Sequence, residues 1–326
     1  MEILEKKSKK TYISKLPLKQ KNFLSGNQLL YKFLCFLLLI SVIFIANCKN
    51  ENSSVVNHSA TREVIDDLGR SVQLPAKVER AVSLAPNLTE IAFAVGSGDR
   101  LIGVTSFCDY PFEARRIQKI GDTLNPNIEN IVALKPQIVL VSTASQIENF
   151  TKILDRQQIA YFVTNPNSLE DIYQSIYQIG KIFGSDDKAN EVVNELKRRV
   201  ANVESRTNTG KNTKVFLQIS NESLYTIGKE SFLTDLIRRA GGVSVTEVVA
   251  TAYPKISLET ALAYQPEAII LSDSEDNREP NAVFKNSPAV KNGKVFKINA
   301  DLLSRPGPRI VDGLEQIAKV LHPESF

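Results

Sequence analysis

The chain has 326 residues, more than one ordinary hydrophobic core organises, so two domains are expected. Its 43% hydrophobic and 23% charged residues are those of a globular protein rather than of a disordered or fully membrane-embedded chain. The formal charge of +4 does not point to nucleic acid, because residues 1–47 hold eight Lys against two Glu and the remainder is left near −2.

Behind the basic N-terminal region an apolar stretch runs from Phe33 to Ala46. It is short of the roughly 20 residues a membrane span needs and suits the core of a signal peptide. The stretch "IANC" at its end resembles a bacterial lipoprotein cleavage box, which implies lipid on Cys48; Asn47 stands where Gly or Ala is usual. A signal anchor that stays uncleaved is the alternative. The polar tract after Cys48 reads as a flexible tether holding the globular part at a membrane surface. Only Cys108 then remains, so no internal disulfide is available and the core must hold the fold.

From Val78 onward, short apolar strands alternate with helices, which predicts a parallel sheet covered on both faces. "RAVSLAP" reads as a strand, followed by a short helix started by Asn87 or Thr89 and stopped at Gly96. Further strands are "RLIGVTSF", "QIVLVST" and "AYFVTN". Helices are "NIENIVALKP", "IENFTKILDRQQI" and "SLEDIYQSIYQIGKIFG". Residues 185–207 carry acids early, bases late and no Gly or Pro, the pattern of one long helix started by Ser185. Its thin apolar stripe (Val192, Val193, Leu196, Val200, Val203) suits a brace across two domains. The alternation then resumes with the strands "VFLQIS", "EAIILSD" and "KVFKIN" and three more helices, the last with Pro308 near its first turn.

"IENIVALKPQIVLVS" (128–142) and "LETALAYQPEAIILS" (258–272) repeat one helix–strand unit at an offset of 130 residues. The expected architecture is therefore α/β: two parallel-sheet lobes bridged by one long helix, with a ligand cleft between them. The boundaries are 1–47 signal peptide, 48–62 tether, 63–184 first lobe, 185–207 bridging helix and 208–326 second lobe. Glu129 and Glu259 occupy matching places in the repeat. An acid in a helix's first turn is accounted for by the helix dipole, worth about 0.3–1 kcal/mol. Two equivalent carboxylates also suit a two-fold symmetric partner.

Motifs for catalysis are missing. There is no G-x-S-x-G elbow and no Walker loop, and only His58 and His322 are present, which starves general-base chemistry and a His-rich metal site. The reading is a binding protein, not an enzyme, without a metal or cofactor of its own.

The segments "VSLAPNLTEIAFAVG", "LIGVTSFCDYP", "IGDTLNPNIENIVALKPQIVLVS", "ISLETALAYQPEAIILS" and "RPGPRIVDGLEQIAKVLHPE" together resemble the class III periplasmic substrate-binding proteins of ABC importers, most closely the vitamin B12-binding branch. The resemblance implies a lipid-anchored periplasmic monomer that passes cobalamin to a permease and its ATPase. Glu129 and Glu259 would dock on the permease, and Phe107, Asp109, Tyr110, Tyr253, Asp301 and Arg305 would surround the ligand. Aromatic rings there would cover the flat macrocycle, and Asp301 and Arg305 would bond its polar rim. The chain departs from that branch in having no Trp; Thr123 and Ser142 stand where the branch carries it. A ferric siderophore or haem is the alternative cargo.

Overall fold

A computed structural model describes residues 61–143, 147–208, 210 and 212–326. The basic and apolar leader, Cys48 and the tether up to residue 60 lie outside the described residues.

The first described strand lies partly inside the stretch read as tether. Strand β1 (Thr61–Ile65) pairs antiparallel with β2 (Ser71–Pro75). The hairpin turns on Asp66, whose Oδ1 accepts the Leu68 and Arg70 amides at 3.0 and 2.9 Å. Every second side chain, Val64, Val72 and Leu74, is buried. Its five-residue strands are too short for a pattern that stands out without their partner.

The first lobe is a parallel sheet of β3 (Ala81–Ser83), β4 (Leu101–Val104), β5 (Ile138–Ser142) and β6 (Tyr161–Thr164), in the order β4-β3-β5-β6. Around it lie α1 (Pro86–Ala94), α2 (Ile128–Ala133), α3 (Ile147–Arg156) and α4 (Leu169–Phe183). The second sheet holds β7 (Thr213–Gln218), β8 (Gly242–Ser244), β9 (Ala268–Asp273) and β10 (Val295–Asn299), in the order β10-β9-β7-β8. Numbered within its own lobe, each sheet runs 2-1-3-4. The 130-residue repeat is thus the helix and third strand of each lobe: α2 with β5, and α7 (Leu258–Tyr264) with β9. The second lobe is completed by α6 (Phe232–Arg239), α8 (Pro288–Lys291), α9 (Ala300–Ser304) and α10 (Ile310–Leu321).

The long helix is α5 (Asp186–Thr207), 22 residues or roughly 33 Å at 1.5 Å per residue. Val193, Leu196, Val200 and Val203 of the expected stripe are buried, while Val192 is half-buried. They belong to one core cluster that includes Leu88 and Ile176 of the first lobe and Leu236 and Leu314 of the second. Ion pairs reinforce this brace. Arg199 on α5 donates to Asp312 (2.6 Å) and Glu315 (2.9 Å) on α10. Arg239 on α6 reaches Glu204 on α5 at 2.6 Å and Glu170 on α4 at 3.4 Å. Asp235 Oδ2 also accepts the Leu169 amide at 3.3 Å, so a second-lobe carboxylate caps a first-lobe helix. Burial pushes the Asp235 carboxyl up, but the Arg239 guanidinium beside it more than offsets this and holds it below the usual range.

Both expected helix caps form differently. Helix α1 starts on Pro86, whose missing N–H costs nothing at a first helical position. Thr89, offered as a cap, bonds Ser83 Oγ at 2.9 Å, and Asn87 donates to Pro306 O of the other lobe at 3.2 Å. Ser185 makes no side-chain cap to α5, since its hydroxyl is paired with Ser97 Oγ at 2.9 Å.

Candidate ligand cleft

Parallel strands deliver their following loops to one edge of the sheet, and in both lobes those loops carry the chemistry. In the second lobe, Ile219 follows β7, Ser272 lies near the end of β9, and β10 leads into α9. Together with Leu233, Leu303, Tyr225 and Tyr253 they line a mostly apolar pocket of about 290 Å³. Tyr253 is 46% exposed. Burial pushes its phenol up, partly offset by a hydrogen bond with Ser231.

The segment bearing Tyr253 is held by a close backbone approach. Gly228 N donates to Ala252 O at 2.9 Å and Lys229 N to Val249 O at 2.7 Å. A Cβ on Gly228 would collide with Thr251 O and lie 2.6 Å from Val249 O. Gly228→Ala is therefore expected to push the 249–253 segment away, costing about 1–3 kcal/mol of stability. A thermal melt and a ligand titration check this: the midpoint should fall and affinity should weaken. An unchanged midpoint would mean that the segment yields without cost.

In the first lobe, β4 runs into the loop carrying Phe107, Asp109 and Tyr110, which Lys119 braces by donating to Cys108 O at 2.8 Å. Across from it the chain leaves α9 at Arg305. The Arg305 guanidinium, 9% exposed, meets three carboxylates: Glu90 at 3.1 Å, Asp109 at 2.8 Å and Asp301 at 2.8 Å. Arg309 forks onto Glu90, Nε donating to Oε2 at 2.9 Å and Nη2 to Oε1 at 2.6 Å. Its outer face lies 4.0 Å from the centroid of the Tyr110 ring. Burial pushes the Asp109 carboxyl up, but Arg305 more than offsets this and holds it below the usual carboxylate range.

Of the six expected ligand contacts, Asp109, Tyr110, Asp301 and Arg305 thus form one cluster, and Tyr253 walls a pocket reached by the same α9 segment. Phe107 is 56% exposed and is not among the residues lining that pocket. Ser142 is buried at the end of β5, and Thr123 is half-buried. Glu90, Arg309 and Tyr225 were not anticipated. The signal for Glu90 was an acid enclosed by apolar neighbours in "NLTEIAFA", a pattern that requires a partner.

Glu129 and Glu259 take equivalent positions, each the second residue of its helix. The caps beside them match as well: Asn127 accepts the Asn130 amide at 2.9 Å and Ser257 accepts the Thr260 amide at 3.1 Å. Both Glu residues are exposed, and among the described residues neither forms an ion pair. His322 is buried at the end of α10 with Nε2 3.3 Å from Gly241 O.

The model of a family described as "Periplasmic binding protein" matches residues 82–302. The chain is 28% identical over 306 residues to the uncharacterized ABC transporter substrate-binding lipoprotein YvrC of Bacillus subtilis, covering 89% of this chain and 96% of that one. It is 29% identical over 246 residues to a vitamin B12-binding protein of Vibrio parahaemolyticus, covering 74% and 89%. The crystal structure of the periplasmic vitamin B12 binding protein BtuF of Vibrio cholerae superposes with a TM-score of 0.66 at 26% identity, over 76% of this chain and 97% of that one. The fold also recurs, at 20% identity and a TM-score of 0.67, in the periplasmic heme-binding protein RhuT from Roseiflexus sp. RS-1. These relatives are solute-binding transport proteins rather than enzymes. The chain belongs to the periplasmic binding protein family, and within it to the class III substrate-binding proteins of ABC importers.

Proposed function

We propose that this protein captures cobalamin or a related corrinoid between its lobes, outside the cytoplasmic membrane, and delivers it to a permease. A lipid on Cys48 and the tether behind it keep the cleft near that permease. Glu129 and Glu259 present one carboxylate from each lobe to it. The cargo is bound and released unchanged.

One observation carries the ligand assignment: the two guanidiniums of the interlobe cluster are already paired. Arg305 and Arg309 face Glu90, Asp109 and Asp301, which leaves the cluster one negative charge in surplus. A ligand rich in carboxylates, such as haem with its propionates, would meet repulsion from that cluster and find both of its guanidiniums taken; among the described residues Arg115, which donates to Asp109 O at 3.1 Å, is the cation beside it without a carboxylate partner. A corrinoid rimmed with neutral amides would find carboxylate acceptors for its N–H groups and apolar rings for its flat faces. The shared core along α5 and the ion pairs on both sides of it support a cleft that opens little between free and bound states.

The experiment is a calorimetric titration of cyanocobalamin into the fragment starting at residue 49. A saturable one-to-one heat is expected. No heat with cyanocobalamin, followed by binding of haem or a ferric siderophore, would overturn the ligand and leave the family standing.

A further inference from the structure

Glu90 lies in α1 between the buried Leu88 and Ile91, and its side chain is 2% exposed. A carboxylate so far from water is kept only when its charge and lone pairs are met. Both groups that meet it come from the other lobe, 215 and 219 residues away in the chain. Arg309 approaches as a two-bond fork, which fixes direction as well as distance. Arg305 Nη1 meets both Glu90 Oε1, which it shares with Arg309, and Asp109 Oδ1, while Nη2 holds Asp301; Asp109 and Asp301 are both partly exposed. The buried acid therefore holds the same guanidinium that the two partly exposed acids share. Asn87, one turn earlier on α1, adds a bond to Pro306 O in the same crossing segment.

We propose that Glu90 is a positioning residue: by clamping Arg305 and Arg309 across the seam it sets the opening between the lobes and aims Asp109 and Asp301 at the ligand. The aiming rests on the cleft reading above; the clamp does not, because its geometry is complete without ligand.

The test uses the full-length protein in detergent, with Cys35 and Cys48 replaced by Ser. Nitroxide labels go on Arg156→Cys in the first lobe and Lys291→Cys in the second, both exposed helical positions. Pulsed electron–electron resonance then reads the interlobe distance without ligand. Glu90→Gln keeps the shape and removes the charge. It is expected to lengthen and broaden the distance distribution and to weaken cyanocobalamin binding on the order of tenfold or more. Glu90→Asp, which keeps the charge on a shorter arm, should recover part of both; a purely packing role would not distinguish the two variants in this order.

A distribution unchanged in folded Glu90→Gln overturns the clamp. A broadened distribution with unchanged cyanocobalamin affinity overturns the aiming. If Glu90→Gln does not fold, Arg309→Gln, which leaves Glu90 paired with Arg305, decides by the same distances: broadening supports the clamp and no change overturns it. Wild-type protein that binds no cyanocobalamin would overturn the ligand reading, while the distances would still judge the clamp.

Discussion

The double variant Glu129→Ala, Glu259→Ala is expected to abolish ligand-dependent stimulation of the permease while ligand affinity stays at the wild-type value and the melting temperature falls by no more than a few degrees. Both side chains are exposed at the second position of short helices, away from the Arg305 cluster and the apolar pocket. Losing the favourable helix-end charge costs at most about 1 kcal/mol each, so the fold survives. Their value lies in symmetry. The two lobes share one strand order, so the two carboxylates sit at equivalent points and can meet equivalent cations on a two-fold partner. Such paired charges set register and orientation, and a partner left with two unmatched buried cations loses about 2–5 kcal/mol for each. Single variants should retain part of the stimulation. Glu275→Ala, an exposed acid outside the repeat, should behave as wild type. The measurement is ATP hydrolysis by the reconstituted permease with and without the binding protein. A loss of ligand affinity in the double variant would remove the docking assignment.

Asp109→Asn with Asp301→Asn should change which ligand the cleft accepts. In the native chain the cluster holds three carboxylates against two guanidiniums. The double variant would turn a surplus of one negative charge into one positive charge and leave Glu90 as the one carboxylate partner of Arg305. Both carboxylates are partly exposed, so their loss should be tolerated by the fold. Haem, carrying two carboxylates, is expected to gain about tenfold or more in affinity, and cyanocobalamin to exchange charged acceptors for the weaker carbonyls of Asn and weaken. Titration of both ligands into both proteins decides. Haem bound by the native protein as tightly as cyanocobalamin would sink the charge argument.

How much of this was legible in the sequence follows from the range of each interaction. The alternation of apolar strands and amphipathic helices, the 22-residue helix and its buried Val193, Leu196, Val200 and Val203 were all readable, because their periodicity repeats within a few residues. The match between Glu129 and Glu259 was readable because the same helix–strand unit was written twice. The β1–β2 hairpin was not, since its strands are short and its apolar residues show their meaning only against the core. The caps went astray at Thr89 because the helix already begins at Pro86, which leaves Thr89 inside it, and at Ser185 because its hydroxyl found a tertiary partner in Ser97.

By itself the sequence determined two α/β lobes, the helix that joins them, the edges at which their loops gather and the pair of acids placed alike on both. Only the tertiary structure decided that Arg305 faces Glu90, Asp109 and Asp301 at once, that Arg309 forks onto Glu90, and that Tyr225 and Tyr253 wall one pocket. The physical reason is distance along the chain. Local patterning is enforced by backbone geometry every two to four residues, whereas a buried charge selects its partner across some two hundred residues, where no spacing rule connects them.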